Sequence, residues 1–207
     1  MAAVLDLGCG NGKLPAALQL RPDDVGWGVD VNAERIAEAR KRYPERHFLC
    51  ARGESLPFPN GSFYCVVSNV ALPYMNIPYA LAEVRRLLRP DGYLFFSAHP
   101  MSFTLQELRH CRRIVPFLYR LFVLCNGLFF HVTGRVLRVG NRNESFQTKR
   151  GMRIALKRAG FGEVTFLRPE CNRLLVETSA VSASNGTAKN AATSSRHWSR
   201  AFKTTQD

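Results

Sequence analysis

The sequence predicts an α/β fold in which a mostly parallel sheet carries helices on both faces. An apolar segment at residues 3–7 runs directly into a glycine-rich turn that opens a helix, which is how a βαβ unit begins. Short apolar strand patterns then alternate with amphipathic helical patterns, and this alternation gives a parallel sheet. With 207 residues and 46% hydrophobic content, the chain suits one sizeable core.

Changes of hydrophobic period place the elements in order along the chain. We expect strands at residues 3–7, 26–31, 47–51, 63–69 and 92–98. We expect helices at residues 12–20, 33–43, 77–89 and 149–159. Pro15 falls in the first turns of the first helix, where proline is tolerated, and Pro44 ends the second helix. The segment Pro90-Asp91-Gly92 is predicted to be a turn before the fifth strand.

The turn after the first strand contains Gly8, Gly10 and Gly12 behind the acidic residue Asp6. Glycine is required where the backbone adopts unusual dihedral angles or approaches a ligand closely. The spacing is G-x-G-x-G, which differs from the G-x-G-x-x-G that suits a dinucleotide pyrophosphate and so disfavours an NAD-dependent oxidoreductase. Taken singly, each glycine would also fit an ordinary helix-entry turn.

The second apolar strand ends in an acid, Asp30, 20 residues after Gly10. A βαβ unit needs a spacing of about 20 residues to bring a carboxylate to the ribose hydroxyls of a bound nucleotide. Asp30 is therefore the candidate ribose ligand. The competing interpretation makes Asp30 a helix cap, and Asn32 is the rival cap for the same helix.

Three motifs in this order resemble one family. The segment from Val4 to Gly12 resembles motif I of the class I S-adenosylmethionine (SAM) dependent methyltransferases. The Leu56-Pro57-Phe58 loop with the strand Cys65-Val66-Val67-Ser68-Asn69 is similar to the ubiquinone/menaquinone-methyltransferase-like (type 11) subgroup. The helix, turn and strand from Leu81 to Phe96 complete the pattern. The resemblance covers residues 3–99 well and residues 151–178 more loosely.

The resemblance implies a Rossmann-like fold that closes with an antiparallel hairpin, here at residues 162–167 and 173–178, and it implies SAM as the cofactor. The turn glycines would pass close to the methionine part of SAM, and Asp6 would orient the turn or bond the amino group through water. Asp30 would hold the ribose and Val31 would flank the adenine. The other expected cofactor contacts are Cys9, Glu54, Ser55 and Asn69.

The chain departs from the family pattern at Arg52, where relatives carry Asp or Asn to accept from the adenine amino group. Arginine has donors only, so either Glu54 or the backbone must take that contact. The chain also starts at the first strand, whereas relatives have helices before it. These departures keep an alternative open, namely a catalytically weak or silent SAM-fold binding protein whose basic insertion binds a membrane or a partner.

Charge and composition divide the chain into a domain at residues 1–178 and a tail at residues 179–207. The tail has too few apolar groups to offset its ordering entropy, so we expect it to be disordered. Six cysteines without a C-x-x-C pair indicate a reducing compartment and no metal site. The first strand begins within three residues, leaving no room for a signal peptide, so a cytoplasmic location is expected.

The positive charge is concentrated in residues 101–179, which hold 14 basic and 5 acidic residues. Within the expected helical insertion at about 101–147, the apolar segment 114–132 is interrupted by Pro116, Arg120, Asn126 and Gly127, and we do not expect it to span a membrane. Pro116 is expected to begin the second helix of the insertion. Short basic helices suit a lid over an apolar substrate or peripheral contact with anionic lipid, and a hairpin packed on the sheet is the competing interpretation.

Methyl transfer from a sulfonium needs mainly alignment and exclusion of water. An oxygen acceptor or an acidic carbon also needs a base, and His99 after the fifth strand is the candidate, with Tyr74 and His131 behind it. The competing interpretation of His99 is a turn residue. We expect a SAM-dependent methyltransferase of a small, apolar or lipid-like acceptor. No specific nucleic acid is expected, because the segment after the fourth strand, starting at Asn69, lacks the Asn/Asp-Pro-Pro turn of base methylation. The sequence does not identify the acceptor atom or the oligomeric state.

Overall fold

The structure is a computed structural model that describes residues 3–13, 24–140, 142–167 and 174–180. Within these ranges the strands are β1 Ala3–Leu7, β2 Val25–Asp30, β3 His47–Cys50, β4 Phe63–Asn69, β5 Leu88–Ala98, β6 Val164–Leu167 and β7 Leu174–Ser179. The helices are α1 Ala33–Arg42, α2 Ile77–Leu87, α3 Met101–His110, α4 Ile114–Thr133 and α5 Lys149–Arg158, with a short 3₁₀ turn at Leu72–Tyr74.

The strands form one sheet in the order β3-β2-β1-β4-β5-β7-β6. The first five strands are parallel, and β7 pairs antiparallel with both β5 and β6. The predicted fold class, a mostly parallel sheet that closes with an antiparallel pair, is confirmed. The chain builds outward from β1 in one direction through β2 and β3 and in the other through β4 and β5. The carboxyl ends of β1 and β4 therefore border the topological switch point, where open α/β sheets bind ligands.

Local signals account for the helices that flank this edge. Asn32 caps α1, since its side chain accepts from the backbone N–H of Arg35 at 3.0 Å, and the rival assignment of the cap to Asp30 is not needed. Ile36 and Ala39 form the buried face of α1. The helix predicted at residues 12–20 lies, beyond Lys13, outside the described residues.

The structure differs from the sequence prediction at Pro90 and at Ser179. The segment Pro90-Asp91-Gly92 is part of β5, which begins at Leu88, because the register between β4 and β5 shifts between Phe63 and Cys65. Proline lacks an N–H and is accommodated in a sheet at such an irregularity. The tail was expected to start at residue 179, but Ser179 ends β7 and Ala180 is buried, its N–H donating to Gly92 O at 2.8 Å. Residues 181–207 lie outside the described part.

The insertion between β5 and α5 contains α3 and α4. The second helix begins at Ile114, two residues earlier than predicted, and Pro116 lies in its first turn, where no intrahelical donor is required. Helix α4 continues through Arg120 and Asn126 to a left-handed cap at Gly134. By length and composition alone α4 could cross a bilayer, and the expectation that this segment does not span a membrane stays a prediction.

Asn126 holds the end of the insertion against α4. Its side chain is fully buried. The amide group donates to the carbonyls of Leu137, Asn143 and Glu144 at 3.0–3.2 Å and accepts from the N–H of Leu137 at 2.6 Å. One side chain in the middle of an apolar helix thus satisfies backbone groups that the returning chain would otherwise bury without partners.

We predict that Asn126→Ala lowers the free energy of unfolding by about 2 kcal/mol or more, because buried backbone groups lose their partner. Urea unfolding followed by circular dichroism measures the change. The matched control is Cys125→Ala, at the exposed neighbouring position of the same helix, which should stay within about 0.5 kcal/mol of the wild type. Equal effects of the two substitutions would show that the buried amide does not support the insertion.

Candidate functional site

A cavity of about 470 Å³ opens at the carboxyl ends of the parallel strands. Small-molecule sites typically enclose about 300–1,000 Å³ and lie at the switch point of an α/β sheet. Five of the residues expected at the site line this cavity, namely Gly8, Asp30, Val31, Glu54 and Asn69. The remaining six expected residues do not line it: Asp6, Cys9, Gly10, Gly12, Ser55 and His99.

The three glycines of the turn all have positive φ angles, +80°, +54° and +83° in chain order, which a side chain would strain. Two of them also pack tightly. A Cβ at Gly8 would lie 2.1 Å from Ala71 Cβ, and one at Gly12 would lie 2.8 Å from the Phe48 ring. A Cβ at Gly10 would meet nothing within 4 Å. The turn is therefore anchored at both ends, and its centre borders open space that a ligand could occupy.

Asp30 links this turn to the end of β2. One carboxylate oxygen accepts from the N–H of Gly10 at 2.9 Å, and the other accepts from the N–H of Asn32 at 2.9 Å. Each oxygen keeps a lone pair, since a carboxylate offers about four acceptor sites. Asp30 can therefore shape the turn and still accept from a ligand in the cavity that it lines.

Asp6 lies behind the turn and is 1% exposed. Neither of its side-chain oxygens has a hydrogen-bond partner among the described residues. Burial, and then the neighbouring charge of Asp30, raise the pKa of the Asp6 carboxyl well above its ordinary range. A buried carboxyl without a hydrogen-bond partner is costly.

Cys9 and Gly12 face away from the cavity. Cys9 is buried with Ile36, Ala39 and Phe48 where α1 packs on the sheet. Burial, with the charges of Asp6 and Asp30, raises the pKa of the Cys9 thiol. The thiol therefore stays protonated at neutral pH, and Cys9 acts in packing.

The loop after β3 also lines the cavity, through residues 51–54. A carboxylate oxygen of Glu54 accepts from the N–H of Asn76 at 2.9 Å, which fixes Glu54 in front of α2. Arg52 lies 3.7 Å from the other carboxylate oxygen of Glu54 and is half exposed. Glu54 therefore provides, beside Arg52, the hydrogen-bond acceptor that an arginine side chain lacks.

Tyr74 lines the cavity, and its side chain contacts His99, which does not line it. The Tyr74 hydroxyl is 3.4 Å from His99 Nε2, and the imidazole stacks on Phe103 with ring centroids 4.1 Å apart. Burial first, and then the charge of Glu144, raise the pKa of Tyr74. His131 does not join this group, because its Nδ1 pairs with the Thr148 hydroxyl at the start of α5.

Two further residues that line the cavity had no recognisable signal in the sequence. Val70 has a φ of +57°, an outlier for a β-branched residue, and its N–H donates to Ser97 Oγ at 3.1 Å. Such strain is concentrated at functional sites. Asn143, from the end of the insertion, also lines the cavity. Within the described ranges, three or more His, Cys, Asp or Glu residues do not come together as a metal site.

The sequence of the chain is similar to those of known methyltransferases. Residues 5–96 match the family described as "Methyltransferase domain". The chain is 35% identical over 122 residues to the malonyl-[acyl-carrier protein] O-methyltransferase of Methylovorus sp., covering 54% of this chain and 41% of that protein. It is 26% identical over 168 residues to the demethylmenaquinone methyltransferase of Chlorobaculum tepidum, covering 79% and 66%. The chain thus spans less than two thirds of these relatives.

Solved structures show the same fold. A SAM-dependent methyltransferase of Methanosarcina mazei superimposes with a TM-score of 0.54 at 22% identity, over 86% of this chain and 90% of that one. The CMeT domain of the citrinin polyketide synthase superimposes with a TM-score of 0.61 at 21% identity, over 88% of this chain and 47% of that one.

We predict that Asp6→Asn stabilises the protein at pH 8 and that the gain disappears near pH 4. The raised pKa means that the folded state favours the protonated carboxyl. Below the unfolded-state pKa of about 3.9 both states are protonated and the penalty is absent, whereas it grows as pH rises from that value toward the folded-state pKa and is constant above it. Urea unfolding of both proteins between pH 4 and 8 measures the difference. A difference in the free energy of unfolding between the two proteins that does not change with pH would contradict the raised pKa of Asp6.

Proposed function

We propose that this chain, a member of the class I SAM-dependent methyltransferase family, binds SAM in the cavity and transfers its methyl group to a small apolar acceptor. The observation that carries the proposal is the cavity itself. It is lined by Gly8 of the glycine turn and by Asp30, and also by Tyr74, Val70 and Asn143. A cofactor and an acceptor could therefore meet within it.

The residues present fit SAM. The open space at Gly10 would admit the ligand, Asp30 would accept from the ribose hydroxyls, and Val31 would lie against the adenine. Glu54 would accept from the adenine amino group. Asp6 has a buried carboxyl without a partner close to where a positive charge would be bound. When bound, SAM supplies a methyl group that its sulfonium already makes electrophilic, so the protein contributes alignment and exclusion of water.

The acceptor proton is the remaining chemical requirement. Tyr74 faces the cavity, and its raised pKa keeps the hydroxyl neutral. Tyr74 would take the acceptor proton as it passes its own to His99 Nε2, the atom 3.4 Å behind it. His99 would then serve as the base through Tyr74, held in place by Phe103 and by the bond from Gln147 N–H to the His99 carbonyl at 2.8 Å.

The relatives suggest the first acceptors to test. Their names specify a demethylmenaquinone and a malonyl-[acyl-carrier protein] as what those proteins methylate. An apolar acceptor suits Val70, Ala71 and Met75, which also line the cavity. The second candidate function, SAM binding without turnover, is favoured by Arg52, which replaces the acidic or amide residue of the family.

Calorimetric titration separates these functions. SAM and S-adenosylhomocysteine should bind, and NAD should not. Transfer of a labelled methyl group to a demethylmenaquinone or to malonyl-[acyl-carrier protein] would then establish the enzyme. Binding of SAM without transfer to either acceptor would favour the silent protein, and binding of NAD in place of SAM would remove the proposal.

We predict that Gly10→Ala weakens SAM binding at least about tenfold, because the added methyl group would occupy ligand space. The matched control is Gly61→Ala. Gly61 has a φ of +66°, and a Cβ there also meets nothing within 4 Å, but it precedes β4 and so lies at the edge of the sheet opposite the glycine turn. The two substitutions should cost similar stability, about 1–2 kcal/mol for the left-handed conformation, so titration isolates the effect on the ligand. Equal SAM affinities for the two variants would exclude the glycine turn from the site.

We predict that Tyr74→Phe and His99→Gln each lower the rate of methyl transfer by about 10²–10⁴-fold, the range for loss of acid–base catalysis. The dissociation constant of SAM should remain unchanged, because neither group is assigned to the cofactor. Single-turnover assays with labelled SAM measure the transfer. Tyr79→Phe, at an exposed tyrosine of α2, is the control and should behave as the wild type. Unchanged transfer in both test variants would contradict the relay.

A further inference from the structure

We propose that α4 binds an anionic membrane surface and lies in its plane, with its outward apolar stripe in the headgroup region. The proposal concerns a surface outside the cavity and does not depend on methyl transfer. It rests on the face that α4 presents, on the direction of its polar residues and on the charges around it.

The stripe runs along the whole outer side of α4. Its members recur every three or four residues, the spacing of one helix face, and are Ile114, Leu118, Leu121, Cys125, Leu128 and Val132. Ile114 is 74% exposed, Leu118 55% and Val132 62%, and Phe117 and Phe129 flank the stripe. A helix of 20 residues is about 30 Å long, so the apolar surface is continuous over that length. Contiguous exposed patches of this kind mark interaction surfaces.

The polar residues of α4 point the opposite way. Arg120 forms ion pairs with Glu107 of α3 and with Glu144, the latter at 3.0 Å. Tyr119 donates to the same Glu144 carboxylate. Asn126 is fully buried. A helix that faced water would direct such groups outward and bury its leucines, so the arrangement indicates that the outward face is matched to an apolar environment.

These inward contacts also favour a helix lying in the membrane plane over one crossing it. Arg120 and Asn126 are held by groups of the protein on the inner side, and α4 packs on both α3 and α5. Insertion across a bilayer would break these contacts and bring charged and amide groups into hydrocarbon, which is costly.

The arginines around α4 indicate that its outward face binds anionic lipid. Residues 101–140 contain six arginines and a single acidic residue, Glu107, which pairs with Arg120. The other five arginines are exposed and cluster at the two ends of the stripe: Arg109, Arg112 and Arg113 before it, and Arg135 and Arg138 after it. Basic residues around an apolar helix face are the composition of interfacial helices. A second copy of the chain would instead bring two such sets of arginines together, and a nucleic acid would leave the stripe in water.

The same helix is connected to the cavity. Glu144, which binds Tyr119 and Arg120, is adjacent to Asn143, and Asn143 lines the cavity. A membrane-bound α4 would therefore hold the site at the bilayer surface, where an apolar acceptor is concentrated.

Co-sedimentation of the full chain with lipid vesicles tests the proposal. The wild type should bind phosphatidylglycerol vesicles more strongly than phosphatidylcholine vesicles, and binding should weaken as salt is raised from 50 to 500 mM, roughly from a Debye length of 14 Å to 4 Å. Arg112→Gln/Arg113→Gln should lower partitioning about fivefold for each arginine, which corresponds to about 1 kcal/mol per cation. Leu118→Gln/Leu121→Gln should lower it roughly tenfold or more through lost apolar burial.

Matched controls separate the surface from general charge and hydrophobicity. Lys41→Gln/Arg42→Gln removes two adjacent exposed cations of α1, and Tyr79→Gln removes an exposed aromatic residue of α2. Both should sediment as the wild type. Circular dichroism checks that each variant is folded, and SAM titration compares its cavity with that of the wild type. The vesicle test remains decisive even for a chain that does not bind SAM, because the two proposals are independent.

Three outcomes would overturn the proposal. The first is wild-type protein that stays in the supernatant with anionic vesicles at low salt. The second is a loss of binding in the control variants as large as in the test variants. The third is a dimer, detected by light scattering, that Leu118→Gln/Leu121→Gln dissociates while vesicle binding is unchanged, because the stripe would then be an interface between copies.

Discussion

The carboxylate of Asp30 connects the parts from which the cavity is built. Its two oxygens accept from the N–H groups of Gly10 and Asn32, both at 2.9 Å. Gly10 belongs to the turn after β1, and Asn32 caps α1, so one side chain holds two neighbouring strand ends and a helix start in register. Bonds to an ionised acceptor are roughly twice as strong as neutral ones. Gly10 can direct its N–H at Asp30 because glycine adopts its φ of +54° without a steric penalty.

The insertion is coupled to the cavity through one short segment. Residues 143–147 are almost completely buried. Glu144 accepts from α4, and the N–H of Gln147 donates to the carbonyl of His99. The N–H of Ser145 lies 3.4 Å from the Pro73 carbonyl, next to Tyr74. The proposed membrane helix and the proposed proton relay therefore bind the same segment, residues 143–147. These hydrogen bonds connect α4 with His99 and with Pro73, the neighbour of Tyr74.

Two carboxyl groups lie at the glycine turn. Near the glycine turn, Asp30 lines the space and Asp6 is buried behind it. These carboxyl groups suit a cofactor that carries positive charge. Asp6 is held there at a cost, since burial raises its pKa, and active sites commonly retain such destabilising groups because their function requires them. The excess of arginine is found in the insertion, where five arginines are exposed.

The sequence by itself determined the parallel sheet, the glycine turn and the position of Asp30. These features depend on short-range patterns: alternating hydrophobic periods, glycines at positions with positive φ, and the length of one βαβ unit. The cap at Asn32 belongs to the same class, because the capping bond spans only three residues. The boundary at Pro90 was missed because the register shift between β4 and β5 depends on a partner strand more than 20 residues earlier.

Only the tertiary structure decided which polar groups of the insertion point inward and what the outer face of α4 exposes. A periodic pattern shows that a helix has two faces, but not which of them meets the protein. The inward face of α4 is fixed by Glu107 and Glu144, which form ion pairs with Arg120. It is also fixed by the backbone carbonyl groups that accept hydrogen bonds from the buried Asn126 side chain. The positive φ of Val70 and the arrival of Asn143 at the cavity are likewise set by contacts distant in sequence. No local propensity encodes them, because their energies arise only when the elements pack.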